Sequence, residues 1–210
     1  MWYFTWILGV LLACAFGIIN VLWLEAQEGL DQESIILDPL TKLPTRVGFL
    51  ESLEDRIEQY KSEPSPFLLM LVSLDAYRTL SENDGNESVN QMVLKIADVI
   101  KQEIRLPVDS VARYDAATFA IILPGANIDV AEIVANRIRE NVLTQKIVSS
   151  NEPIISIGVA EYPTHLSCGD DENFQQHIKS ILQSTDKAVR QAQKQGKNGF
   201  CCATEQAVAS

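Results

Sequence analysis

Two histidines and four cysteines are all that this 210-residue chain holds of the commonest soft metal ligands. Cys14, Cys168, Cys201 and Cys202 show no Cys-x-x-Cys spacing and no framework of the kind that staples small secreted domains, which fits a reduced compartment. His165 with Cys168 has a spacing a metal can use, but a two-ligand match in a loop arises readily by chance, and His177, on an expected helix, reads as an ordinary surface or core side chain. Positive charge is scarce too. With 17 Lys and Arg against 28 Asp and Glu the net charge is -11, and this excludes nucleic acid, which is held by clustered cations that displace its counterions.

A more local scarcity lies at the start, where Trp2 to Leu24 form a tract without a single charge. At 1.5 Å per residue such a tract is long enough to cross a hydrocarbon core of about 30 Å. Residues 1–24 are therefore expected to form one transmembrane helix, with Trp2, Tyr3 and Trp6 at one interface and Trp23 at the other. A cleaved signal peptide fits poorly, because no Lys or Arg precedes the tract and the apolar run is too long. Gly9, Ala13, Gly17 and Asn20 fall on one side of that helix and mark a face for packing against another helix, a second copy of this chain included. Residues 25–36 read as a short polar connector. Lys42 and Arg46, the nearest basic residues after the span, favour a cytoplasmic C-terminal part.

The order Met1-Trp2-Tyr3-Phe4-Thr5-Trp6-Ile7-Leu8-Gly9, continued by Leu11-Leu12-Ala13-Cys14 and Phe16-Gly17 to Leu24-Glu25, resembles the CydX-type small subunit of cytochrome bd ubiquinol oxidase over residues 1–33. The resemblance implies a single-pass protein of the bacterial inner membrane, docked on the large haem-bearing subunit. Haem then belongs to that partner, and this chain is expected to bind no cofactor and no metal of its own.

The remainder alternates helical and strand patterns. Val47, Leu50, Leu53, Ile57 and Tyr60 repeat at three and four, as on an amphipathic helix, and Phe67 to Leu74 reads as a strand buried on both faces. A polar turn is expected around residues 82–86, then a helix on Val89, Met92, Val93, Ile96, Ile100 and Ile104. Val111 to Pro124 reads as a hairpin, whose connection Asp115-Ala116-Ala117-Thr118 has no glycine for close approach of a phosphate and a single carboxylate. A helix on Val130, Ala131, Val134, Ala135 and Ile138, a strand from Pro153 to Ala160, and a helix from Ile178 to Ala192 ending at Gly196 complete the pattern. The expected fold is an α/β (α+β) sandwich, a mixed central sheet flanked by helices, over residues 37–200, with 201–210 as a tail.

Asp38, Leu40-Thr41, Leu43-Pro44, Leu74-Asp75, Asn83 to Asn90 around Gly85, Arg113-Tyr114, Phe119, Leu123-Pro124, Ser156 to Ala160, Asp186, Ala188, Gly196 and Asn198 together resemble the GGDEF domain, the family of diguanylate cyclases that join two GTP molecules into cyclic di-GMP. That resemblance implies magnesium carboxylates at positions held here by Ser73 and Ala117. It also implies a second acidic signature residue at Thr118, phosphate-approaching glycines at Asp115 and Ala116, guanine-reading Asn and Asp at Ser81 and Asn90, and late basic residues at Gln193 and Lys197. An inhibitory Arg-x-x-Asp is expected just upstream of the signature, where Arg105 stands one position out of register with Asp109. Mg²⁺ favours carboxylate oxygens and removal of a preorganised charge is costly, so a degenerate, non-catalytic copy is expected. The alternative is a signalling domain that still binds GTP or cyclic di-GMP.

Overall fold

The computed structural model describes residues 3, 6–7, 15–20, 37–62, 65–75, 77–83, 85–144, 155–162, 174–196 and 198–203. Its elements, in chain order, are α1 (Arg46–Ser62), β1 (Phe67–Leu74), α2 (Tyr77–Asn83), α3 (Gly85–Glu103), β2 (Ser110–Arg113), β3 (Thr118–Pro124), α4 (Ile128–Thr144), β4 (Ile155–Glu161), α5 (Phe174–Lys194) and β5 (Phe200–Ala203).

The five strands form one mixed sheet in the order β2-β3-β1-β4-β5. β1 lies at its centre, antiparallel to both β3 and β4, while β5 joins β4 in parallel. A strand in that place needs apolar side chains on both faces, and Phe67 to Val72 are all buried. Leu68, Met70, Val72 and Leu74 point into one core with Val93, Ile96 and Ile100 of α3 and Ala131, Ala135 and Ile138 of α4. Phe67, Leu69 and Leu71 point into a second core with Phe49, Leu53 and Ile57 of α1 and Ile178, Ile181 and Val189 of α5. The α/β sandwich expected from the sequence is thus present, with α3 and α4 on one face, where Tyr77 and Leu80 of α2 also pack, and α1 and α5 on the other.

Some helical faces are rotated from the expected ones. On α1 the buried line is Phe49, Leu53 and Ile57, at steps of four, and Val47 is exposed. On α4 the small Ala131 and Ala135 face the sheet while Val130 and Ile133 face outward. At Gly158 of β4 the backbone of α5 comes close: a Cβ there would collide with the Val189 backbone nitrogen and stand 2.7 Å from the Thr185 carbonyl oxygen. Two elements depart from the sequence reading. α2 occupies part of what reads as a turn, and Phe200–Ala203, assigned largely to the tail, forms the edge strand β5.

Of the expected span, only Tyr3, Trp6, Ile7 and residues 15–20 are described, as exposed helix. Among the described residues no helix is long and apolar enough to cross a membrane, so the span over residues 1–24 is not seen. Gly9, Ala13 and the connector 25–36 lie outside the described residues. Gly17 and Asn20 are helical and exposed, and a Cβ added to Gly17 meets nothing within 4 Å.

Candidate functional site

The polar residues singled out in the sequence converge where β1 ends. Antiparallel register sets Ser73 opposite Thr118 of β3 and, across its other edge, opposite Ser156 of β4. Directly opposed residues share a face, so three hydroxyl side chains line up across the sheet. The hairpin tip closes on this row: the Leu74 amide donates to the Ala117 carbonyl at 2.8 Å, and the amides of Tyr114 and Asp115 donate to the Thr118 carbonyl at 2.9 and 3.2 Å. Asp115, which reads in sequence as a charge facing phosphate, accepts a 2.8 Å bond from the Ala117 amide and so braces its own turn.

Two residues of α5 and the following turn reach the same place. Gln193 Nε2 donates to Ser73 Oγ at 3.3 Å and to Asp75 Oδ1 at 3.0 Å. Asp75 Oδ2 accepts from Ser156 Oγ at 2.7 Å and from the Asn198 amide at 3.3 Å. The structure therefore assembles Ser73, Asp75, Thr118, Ser156, Gln193 and Asn198, of which Ser156 belongs to a run that carries the family resemblance without an implied role at the site. Ser81 and Asn90 sit on the neighbouring pair α2 and α3, Ser81 donating to Asn86 at 3.3 Å and Asn90 half-buried. Lys197 lies outside the described residues.

Behind the hairpin stands the start of the domain. Arg113 Nη1 contacts both Asp38 carboxylate oxygens at 3.1 and 3.0 Å, and Arg113 Nη2 donates to the Ala116 carbonyl at 3.3 Å. Burial acts to raise the Asp38 pKa, but hydrogen bonds from the Thr41 amide and hydroxyl, with the Arg113 guanidinium, outweigh it and hold the carboxyl below its ordinary value. Arg46 lies over the Tyr114 ring at 4.8 Å, and Phe49 meets the same ring edge-on. One arginine thus joins the entry loop to the hairpin tip.

Arg105 is committed inside the chain. Its guanidinium grips buried Asp109 through two bonds of 3.1 and 2.8 Å, which raises the Arg105 pKa, and its amide adds a third at 2.7 Å. His177 is a core residue, buried, its Nδ1 3.2 Å from the Tyr162 hydroxyl. His165, Cys168 and Cys14 lie outside the described residues. Burial raises the Cys201 and Cys202 thiols above their ordinary pKa.

The family resemblance implies magnesium here. The donors gathered are hydroxyls, an amide and one carboxylate that already accepts three hydrogen bonds, with a methyl group at Ala117. That set does not fit a pair of Mg²⁺ ions, each of which favours carboxylate oxygens. Among the described residues, no three or more His, Cys, Asp or Glu are placed to hold a metal.

Comparison with known families matches two parts of the chain. Residues 35–199 match the family described as diguanylate cyclase, GGDEF domain, and residues 1–27 match the family described as membrane bound YbgT-like protein. The bifunctional diguanylate cyclase/cyclic di-GMP phosphodiesterase MucR of Pseudomonas aeruginosa is 26% identical over 166 residues, 78% of this chain and 23% of that protein. Diguanylate cyclase A of Treponema denticola is 27% identical over 172 residues, 79% of this chain and 44% of that protein. The chain spans less than half the length of these relatives. The crystal structure of the GGDEF domain of DgcB from Caulobacter crescentus in complex with c-di-GMP shares the fold at a TM-score of 0.68, with 24% identity, covering 80% of this chain and 95% of that one.

These findings correct one expectation. The non-catalytic reading took the residues at 73, 117 and 118 as sufficient to exclude an enzyme, whereas relatives matched over more than three quarters of the chain are named diguanylate cyclases. Side-chain identities at a few positions are not a rate, and the scaffold around them is that of the family. By its match over residues 35–199, the chain belongs to the diguanylate cyclase GGDEF-domain family.

Proposed function

We propose that this chain is a membrane-moored signalling protein of the cyclic di-GMP type. Its GGDEF domain handles guanine nucleotide at the end of the sheet marked by Ser73, Thr118 and Gln193. Its first residues attach it to cytochrome bd oxidase, with the domain on the cytoplasmic side of a bacterial inner membrane. One observation carries this reading: a match to a YbgT-like membrane family at residues 1–27 and a match to a signalling-domain family at 35–199 abut in one chain. The Asp38–Arg113 pair supports it mechanically, since a displacement of the chain ahead of residue 38 is passed through one guanidinium to the hairpin tip.

The test uses the full chain, tagged and gently solubilised. Haem d absorbance in the purified fraction supports the attachment, and its absence at stoichiometric recovery refutes it. Calorimetry with GTP and with cyclic di-GMP, and separation of products after incubation with GTP and Mg²⁺ or Mn²⁺, tests the domain. Binding or turnover of either nucleotide supports the reading. A flat titration to high micromolar ligand together with no product refutes it.

A further inference from the structure

We propose that Asp75 is the positioning residue of this site: its carboxylate ties the end of β1 to the turn between α5 and β5, and so sets where Gln193 and Asn198 stand relative to the hairpin. Nucleotide handling is needed only for the consequence of this inference; the contacts stand without it.

A carboxylate offers about four lone-pair sites. Asp75 has three of them engaged, by Gln193 at 3.0 Å, Ser156 at 2.7 Å and the Asn198 amide at 3.3 Å. The donors come from three different places in the fold, so each bond closes a long stretch of chain. The shortest comes from Ser156, which is wholly buried and has a fixed direction of approach.

Two simpler roles for Asp75 fit less well. A helix cap would aim its oxygens at the first amides of α2, yet these oxygens face β4, α5 and the final turn. A cation ligand would keep its lone pairs open, and Asp75 retains about one.

The turn it holds is one that needs holding. Gly196 and Asn198 both take positive φ, +127° and +48°, a region that L side chains rarely adopt. Asn198 Oδ1 is buried and has no hydrogen-bond partner among the described residues, which leaves the amide bond to Asp75 as that residue's polar anchor. Gln193 divides its amide between Asp75 and Ser73, so the orientation of one side chain reports on the other two. Loss of the carboxylate frees the turn and the Gln193 amide together.

Hydrogen exchange on the full chain tests this with the wild type, Asp75→Asn and Ser156→Ala. Asparagine turns an N–H toward donors that the carboxylate accepted; amides of residues 195–200 are expected to exchange at least ~10-fold faster, with α1 and α3 unchanged. Ser156→Ala, which removes one donor and keeps the carboxylate, is expected to give a smaller rise in the same place, and it serves if Asp75→Asn fails to fold. Unchanged exchange at 195–200 in the folded variants overturns the proposal. So does Mn²⁺, followed by electron paramagnetic resonance, that binds the wild type and is lost in Asp75→Asn, because Asp75 is then a cation ligand. With GTP as probe, folded Asp75→Asn is expected to bind about tenfold more weakly than the wild type. Absence of GTP and cyclic di-GMP binding to the wild type counts against the proposed function, while the exchange result still decides the role of Asp75.

Discussion

Arg113→Ala removes a side chain that holds both the start of the domain and the hairpin tip. Three contacts go: the two between Nη1 and the Asp38 carboxylate and the one from Nη2 to the Ala116 carbonyl. The partners are 13% and 15% exposed, close to the buried limit where stripping one member of a pair costs about 3–5 kcal/mol. Asp38 keeps its two bonds from Thr41, at 2.7 and 2.8 Å, so the stranded charge is only partly uncompensated. A loss of about 2–3 kcal/mol follows, between the buried and the exposed limits. In a domain of this size that is a fall of about 4–12 °C in melting temperature.

Urea unfolding at several pH values is the assay. The folded pKa of Asp38 lies below 3.8, so its contribution is fully present above pH 3.8 and is lost as pH falls through the lower folded value. The deficit of Arg113→Ala is therefore expected in full at pH 7 and to shrink below pH 3.8. Arg113→Lys keeps the charge without the fork and is expected to recover about half of the loss. A variant within about 0.5 kcal/mol of wild type at pH 7, or a deficit constant into acid, refutes the reasoning.

Gly158→Ala drives a methyl group into the α5 backbone and is expected to cost at least about 3 kcal/mol, read as loss of folded yield or of urea midpoint. Ile96→Ala, at a fully buried position, is expected to cost about 2–5 kcal/mol in the same assay. Cys201 and Cys202, with pKa raised above 9.0, are expected to be less than about a tenth thiolate at pH 8, and mass spectrometry of their peptide after brief alkylation is expected to find them mostly unmodified. Gly17→Leu is expected to abolish self-association through the N-terminal helix, checked by cross-linking in detergent, because leucine there keeps helices apart.

What was legible in the sequence was whatever rests on local period. The apolar run Phe67 to Leu74 announced a central strand, and the spacing of Val89 to Ile100 announced α3, because burial imposes those repeats directly. The hairpin was legible for the same reason. β5 was not: four residues, Phe-Cys-Cys-Ala, carry no alternation, and parallel pairing with β4 is decided by where α5 delivers the chain. α2 was hidden because seven largely polar residues carry no apolar period, and the last two of them fall in the expected turn at 82–86.

At the site, the aligned positions 73, 118 and 193 do meet in space, while 81 and 90 lie on the adjoining helices. Asp75 stands in the sequence only as part of the Leu74-Asp75 word of the family resemblance, since its three partners lie far along the chain and no spacing signals them. The outward turn of Val47 and Val130 shows the same limit, since a periodic stripe tells which residues are apolar and neighbours tell which of them are covered.

The place of β1 in the sheet also sets an order of events during synthesis. Of the five described strands it is made first, yet one of its edges waits for residues 118–124 and the other for residues 155–161. A growing chain therefore carries a strongly apolar ribbon with at least one bare edge from residue 74 until residue 161 is made, and pairing that ribbon with another nascent copy is the competing outcome. Slowing elongation after residue 124 lengthens that interval, so yield of native protein is expected to depend on codon speed there more than anywhere later.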